Sequence, residues 1–177
     1  HTEFLAKLYI YNKKVFDVDL TYITTRGNWY YNSWKGDESK SGGILMNIGL
    51  HFFDILEFLF GTLIESNIFE RQISVASGFN IYKNARVRWF LSLDKKHLPK
   101  NQKNSTHREL KVDKKIINLS DGFDDLHSKS YQEIMNGNGF TIEDSESSIN
   151  TVYNLRKAKI SKLKSDYHPY LKKINNE

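Results

Sequence analysis

Asn47, His51 and Asp54 are spaced four and three residues apart, which puts three side chains on one stripe of an α-helix. They sit in ILMNIGLHFFDILEFLF, residues 44–60, whose other positions are apolar almost all round. A buried helix keeps such a stripe only where it is hydrogen-bonded or lines a cavity. Histidine is the side chain best matched to proton transfer near neutral pH, and a neighbouring amide or carboxylate can fix its tautomer. The stripe therefore reads as a general acid/base site built on His51 with Asn47 beside it. The plainer alternative is a core histidine satisfied by Asn47 or Asp54. As a metal site the stripe is poor, because it offers one imidazole and one carboxylate with no second histidine at helical spacing.

What leads into the stripe sharpens the first reading. Residues 26–43, RGNWYYNSWKGDESKSGG, mix Gly, Asn, Ser and aromatics without a period and read as a long loop, a feature that compact domains usually keep for function. Arg26, Lys35 and Lys40 flank it; arginine presents a rigid fork to carboxylate or phosphate, and lysine a mobile point charge. Trp29, Tyr30 and Trp34 offer flat faces to a sugar or base ring, or else anchor the loop to the core. No dinucleotide fingerprint accompanies them: Gly42, Gly43 and Gly49 are wrongly spaced, and Gly137 with Gly139 opens no strand-to-helix turn. A Walker loop, a GxSxG elbow and an HExxH pair are missing too, so any cofactor is expected to be bound mainly elsewhere.

The elements that must position these residues follow from periodicity. In VFDVDLTYITT, Phe16, Val18, Leu20 and Tyr22 alternate with Asp17, Asp19 and Thr21, as in a strand with one covered face. The helix over 44–60 is closed by Gly61 and should be buried. LIESNIFERQI, SVASGFNIY and ARVRWFLSLD read as strands, and RELKVD with KKIINLS as a hairpin hinged near Asp113 and Lys114. Residues 121–136 read as a helix. Thr141 and Asp144 resemble a capping box opening a longer helix with Ile149, Val152, Tyr153, Ile160 and Leu163 at core spacing. Helices before and after a block of strands give an α+β fold, an open, mixed, mostly antiparallel sheet with helices packed on one face. Residues 1–163 are expected to form one substrate-binding and oligomerisation domain, with 164–177 a C-terminal tail.

Composition narrows the classes. Of the 177 residues, 39% are apolar and 27% charged, a globular balance. The chain has no cysteine, which rules out disulfides and thiolate metal sites and agrees with a cytoplasmic setting. The run from Gly43 to Gly61 has the length of a membrane span, but Asn47, His51, Asp54 and Glu57 interrupt it at helical spacing, and no membrane helix is expected. A net charge of +5 favours anionic partners, yet the basic residues concentrate in 95–115 and 156–173, and no basic stripe alternates with aromatics as stacked bases would need, which argues against nucleic acid. The chain opens on His1 with no signal-peptide pattern, and it is expected to begin in mid-protein.

Taken together, YITTRGNWYYNSWKGDESKSGGILMNIGLHFFDILEFLFG, ARVRWFLSLD, GFDDLHSKSYQEIMNGNGF and the segment SSINTVYNLRKA resemble the C-terminal domain of the Gfo/Idh/MocA oxidoreductases. The resemblance covers roughly residues 3–160 and is strongest to the branch that oxidises UDP-N-acetylglucosaminuronate at the sugar 3-position for O-antigen synthesis in lipopolysaccharide. It implies an N-terminal Rossmann domain, absent here, that holds most of an NAD or NADP cofactor, and an open-sheet domain that contacts the nucleotide-sugar and builds a homo-oligomer. His51 matches the family's helix histidine, which works with a lysine of the Rossmann half. Asn47 stands where many members have aspartate and this branch has asparagine. Arg26, Lys35 and Ser41 match positions near the sugar and its anionic groups, with Tyr30 beside them. Gly43 is assigned to the cofactor, and His127 and Tyr131 match the LHSKSY motif, with His127 assigned to the substrate. On this reading the chain alone is inactive. The alternative is a noncatalytic nucleotide-sugar binding or oligomerisation domain.

Overall fold

The computed structural model describes residues 15–100, 105–118, 126–163 and 165–174. Six strands form a single sheet: β1 (Phe16–Thr24), β2 (Leu63–Arg71), β3 (Val75–Tyr82), β4 (Ala85–Ser92), β5 (Thr106–Val112) and β6 (Lys115–Asn118). Their order is β2-β3-β4-β1-β5-β6. Only β1 and β4 run parallel; β2–β3, β3–β4 and β5–β6 are antiparallel, as the short turns between them require, and β5 also runs antiparallel to the distant β1. The expected α+β fold with an open, mostly antiparallel sheet is thus the observed one. The central place of β1 follows from its sequence, since both of its faces are buried beyond Asp19.

The inner face carries the main core. Val18, Leu20, Val87, Trp89 and Leu91 point into it from the strands, and Phe53, Leu56 and Phe60 meet them from the helix α3 (Leu50–Phe60). Trp89 and Phe53 pack edge to face, 5.3 Å between ring centres. The indole N–H donates to Asn80 Oδ1 at 3.0 Å, and the Asn80 amide donates to Tyr82 Oη at 3.2 Å, so the polar atoms buried with these rings are satisfied. This tryptophan lies flat because β3 offers it no side chain at Gly78. A Cβ there would stand 2.2 Å from the Asn67 carbonyl oxygen and 2.4 Å from the Trp89 ring, with backbone on one side and a fully buried ring on the other. Gly78→Ala should lower stability by about 1–3 kcal/mol, the cost of overpacking a tight core, measured by chemical denaturation. A variant as stable as the parent would mean that this strand pair relaxes freely.

Three departures from the sequence reading bear on the site. Residues 26–43 are not an open loop but three short helical turns: α1 (Asn28–Asn32), a 3₁₀ turn at Trp34–Gly36 and α2 (Glu38–Ser41). The next helix is not α-helical throughout. Leu45–Gly49 forms a wide turn in which the Leu50 N–H donates to the Leu45 carbonyl, five residues back, before α3 begins. Nor is the helix buried all round. One side lies against the core, while His51, Asp54 and Phe58 face out. The stretch Glu38–Phe60 is long and apolar enough to cross a membrane by length and composition, but half of it is buried inside the fold, as suits a core helix.

The remaining helices are α4 (Leu126–Met135), α5 (Ile142–Lys157) and α6 (Pro169–Ile174). The expected cap of α5 is present, with the Thr141 N–H donating to the Asp144 carboxylate at 2.7 Å. Its buried stripe, however, is Ser148, Thr151, Val152 and Leu155, while Ile149, Tyr153, Ile160 and Leu163 are exposed. The two hydroxyls bond to carbonyls within the helix, Ser148 to Ser145 and Thr151 to Ser147. Small and satisfied, they let α5 pack closely against α3, and so the core phase differs from the one that larger apolar residues suggest.

The segment 165–174, read as a tail, packs on the outer face of the sheet. There Ile23, Val75 and Phe90 are covered by Leu98, Tyr170 and Ile174, and Leu171 meets Phe69 and Phe79. Farther along the same face Arg88 bridges the carboxylates of Asp17 and Asp19.

Candidate active site

The wide turn Leu45–Gly49 sets the site, because it presents Asn47 and His51 toward the same groove while Ile48 and Phe52 continue into the core. Wide turns of this kind recur at functional positions in helices. The groove has a volume of about 270 Å³ and is lined by Tyr22, Arg26, Asn47, His51, Ile55 and Arg108, together with Ile48 and Phe52. His51 is exposed there, not sealed in carbon, which removes the plainer reading of a satisfied core histidine. Asp54, one turn on, is exposed and does not line the groove.

A second, smaller cavity of about 100 Å³ adjoins the first and shares Arg26, Asn47 and Ile48 with it; Trp29, Tyr30 and Lys35 complete its walls. The two form one bent cleft with His51 and Arg108 at one end and an aromatic, basic recess at the other. Tyr30 is 3% exposed, so it anchors α1 as much as it lines the recess. Its ring is flanked edge-on by Trp29 and Tyr31. Burial pushes the Tyr30 hydroxyl above the ordinary phenol range, an effect opposed by the Asn47 amide and by the charge of Arg26. Trp29 and Trp34 are more than half exposed, and Lys35 rides over the Trp34 ring at 5.8 Å.

Asn47 ties this wall together. Its Nδ2 lies 3.2 Å from Tyr30 Oη, 3.3 Å from the Lys35 carbonyl and 3.2 Å from Ser41 Oγ. The carbonyl contact identifies the nitrogen end of the amide, since a carbonyl only accepts. Ser41, expected at the substrate, instead sits buried behind the wall: its hydroxyl donates to the Lys35 carbonyl at 2.9 Å and accepts from the Gly43 N–H at 3.0 Å. It holds the two helical turns in place. Gly42 and Gly43, at φ 79° and 69°, swing the chain from α2 into the wide turn, a path that side chains resist.

The expected residues thus divide. Arg26, Tyr30, Lys35, Asn47 and His51 come together in the cleft. Gly43 lines a different crevice, with Glu38 and Arg71. His127 stands exposed on α4 and lines neither cavity, and Tyr131 is likewise exposed. Two cleft residues lay outside the sequence reading of the site. Tyr22 was read only as a core strand residue, and Arg108 only as part of a hairpin. They are opposite partners in the β1–β5 register, and the Arg108 guanidinium lies over the Tyr22 ring at 5.5 Å. Among the described residues no cluster of three or more His, Asp or Glu side chains could hold a metal ion.

An exposed imidazole beside a fixed amide, in a cleft rimmed by two guanidiniums and an ammonium, suits proton transfer on an anionic ligand. Residues 12–72 match the model of an oxidoreductase family, C-terminal alpha/beta domain. The chain belongs to this family, Gfo/Idh/MocA, as its C-terminal domain.

Within the family it is similar to the WlbA (WbpB) dehydrogenase from Thermus thermophilus. The structure of that enzyme with NAD and α-ketoglutarate is 39% identical, with a TM-score of 0.88 over 96% of this chain and 57% of that one. Its complex with NAD and UDP-GlcNAcA is 37% identical, again with a TM-score of 0.88, over 96% of this chain and 55% of that one. The WlbA dehydrogenase from Bordetella pertussis, in complex with NADH and UDP-GlcNAcA, shares the fold at 14% identity and a TM-score of 0.61, over 88% and 56% of the two chains. The chain spans a little over half the length of these structures.

Proposed function

We propose that this domain forms the sugar-binding side of an NAD-dependent dehydrogenase that oxidises the 3-hydroxyl of a UDP-N-acetylhexosaminuronate. The observation that carries the reading is the cleft itself, in which the exposed His51 shares its walls with Asn47, Arg26 and Tyr22. An imidazole so placed is accessible to a sugar on one side and to a cofactor held by another domain. That arrangement fits NAD, which when bound accepts the hydride from the sugar carbon. The Thermus relative, similar over nearly the whole of this chain, is a dehydrogenase seen with NAD and UDP-GlcNAcA.

The chain's own residues then act as follows. Arg26 and Lys35 hold the anionic diphosphate and Trp29 flanks the recess, so the sugar extends toward His51. His51 takes the hydroxyl proton as the C–H bond loses its hydride, leaving a ketone at C3. Asn47 and, behind it, Ser41 keep the wall rigid, so the hydroxyl meets the imidazole without a search. The product would serve lipopolysaccharide O-antigen synthesis, in the cytoplasm, in an enzyme that assembles as a homo-oligomer through its sheet.

The test is to assay the protein with its nucleotide-binding domain in place against a panel of UDP-N-acetylhexosaminuronates and to follow NADH formation. Growth of NADH with at least one of them is expected; none with any member of the panel would overturn the reading.

A further inference from the structure

Tyr22 ends the inner apolar row of β1, after Phe16, Val18 and Leu20, and phenylalanine would serve the packing there equally well. Its ring centre lies 4.9 Å from that of Phe52, the residue after His51, and the Arg108 guanidinium rests over it at 5.5 Å. The ring is thus fixed from two sides, and the residue is 7% exposed. The hydroxyl is the part that this packing leaves unexplained.

Buried tyrosines ordinarily bond their hydroxyls. Of the three that are buried among the described residues, Tyr30 accepts from the Asn47 amide and Tyr82 from the Asn80 amide, whereas Tyr22 Oη has no hydrogen-bond partner in the chain. Nor is that oxygen sealed among carbon atoms. Tyr22 lines the groove of about 270 Å³ that also holds His51, and the groove is where its hydroxyl finds room. A phenol so placed presents one donor hydrogen and its lone pairs to whatever stands beside the imidazole. A sugar ring answers it, because its substituents both donate and accept. The phosphates of a nucleotide-sugar are drawn instead to the recess, where Arg26 and Lys35 stand.

Resting on the functional reading above, we infer that the Tyr22 hydroxyl is a substrate contact, hydrogen-bonded to the reacting sugar ring beside the hydroxyl that His51 deprotonates. Arg26 and Lys35 then hold the ligand by its phosphates and Tyr22 holds it by its sugar. The second contact turns the ring so that the C3 hydroxyl meets the imidazole; the phenol itself transfers no proton.

The test uses the protein with its nucleotide-binding domain and compares the parent with Tyr22→Phe, which keeps the ring between Phe52 and Arg108 and removes the hydroxyl alone. Two quantities are read: kcat/KM for the best substrate in the panel of UDP-N-acetylhexosaminuronates, and the inhibition constant of UDP, which has the phosphates but no sugar. The first should fall about three- to tenfold, the range for one neutral hydrogen bond, and the second should stay within about twofold. Thermal stability should be unchanged or slightly higher, since the hydroxyl has no bond in the free protein to lose. An equal loss in UDP binding would move the contact to the nucleotide and overturn the inference. A variant that melts lower or fails to fold would overturn it too, because the hydroxyl would then have a partner within the protein. If the parent oxidises a uronate and Tyr22→Phe matches its kcat/KM, the inference falls and the functional reading stands. A parent that oxidises no member of the panel would overturn the reading itself.

Discussion

Replacing His51 with alanine, in the protein with its nucleotide-binding domain, is expected to lower turnover of the nucleotide-uronate by about 10²-fold or more, the usual contribution of a positioned acid/base. The loss should fall on kcat and leave KM within about threefold, because on the proposed reading the ligand's charges fall to Arg26 and Lys35, which line the cleft, and not to the imidazole. Folding should be unaffected, since His51 is exposed and has no protein hydrogen bond among the described residues. That last point separates His51 from its neighbour. Replacing Asn47 removes ties to Tyr30, Lys35 and Ser41 together and disturbs the wall, so a loss there would be structural as well as chemical. Steady-state kinetics of the purified variant at saturating NAD decide the matter. Undiminished kcat, or a loss confined to KM, would remove His51 from the chemistry.

How much of this was legible in the chain differs between the two ends of the cleft. The alternation in β1 and the closure of α3 at Gly61 are local, and local periodicity located both elements. His51 and Asn47 could be singled out because polar residues on a greasy helix stand out against their own neighbours. What the helical spacing missed is the wide turn at Leu45–Gly49, which depends on packing around Gly49, where a Cβ would press on Phe53 and Leu91. The helical turns in residues 26–43 were hidden for a related reason. Their order comes from Asn47 and Ser41 reaching back to the Lys35 carbonyl, which a pattern of residue types does not display. Arg108 was out of reach altogether, because its place beside His51 exists only through strand pairing between distant parts of the chain. The phase of α5 was misread because serine and threonine face the core with their hydroxyls satisfied within the helix.

The least legible segment, 165–174, carries a pH dependence of its own. His168 is 2% exposed on the outer face of the sheet, near Phe90 and Tyr170. The Tyr170 N–H donates to its Nδ1 at 3.2 Å, so Nδ1 is unprotonated and Nε2–H donates to Thr21 Oγ1 at 3.1 Å. Both nitrogens are engaged with the ring neutral. Burial, followed by the charges of Arg88, Lys111 and Lys173, pushes its pKa down to about 3. The folded value is depressed below the unfolded one, so at neutral pH the ring is neutral in both states and costs nothing. As pH falls below about 6.5 the unfolded chain takes up a proton that the folded chain refuses, and stability drops. Between pH 7 and pH 4.5 the loss from this one group should be about 3 kcal/mol, read as a fall in the denaturation midpoint. His168→Gln, which retains a donor and an acceptor but does not titrate, should be less stable at pH 7 yet much flatter across the same interval. The comparison isolates the ring from every carboxylate that titrates nearby, because those are common to both proteins. If the variant and the parent lose stability in parallel as the solution is acidified, the proton is being taken up elsewhere, and the cover that residues 165–174 lay over the sheet is not held by a neutral histidine.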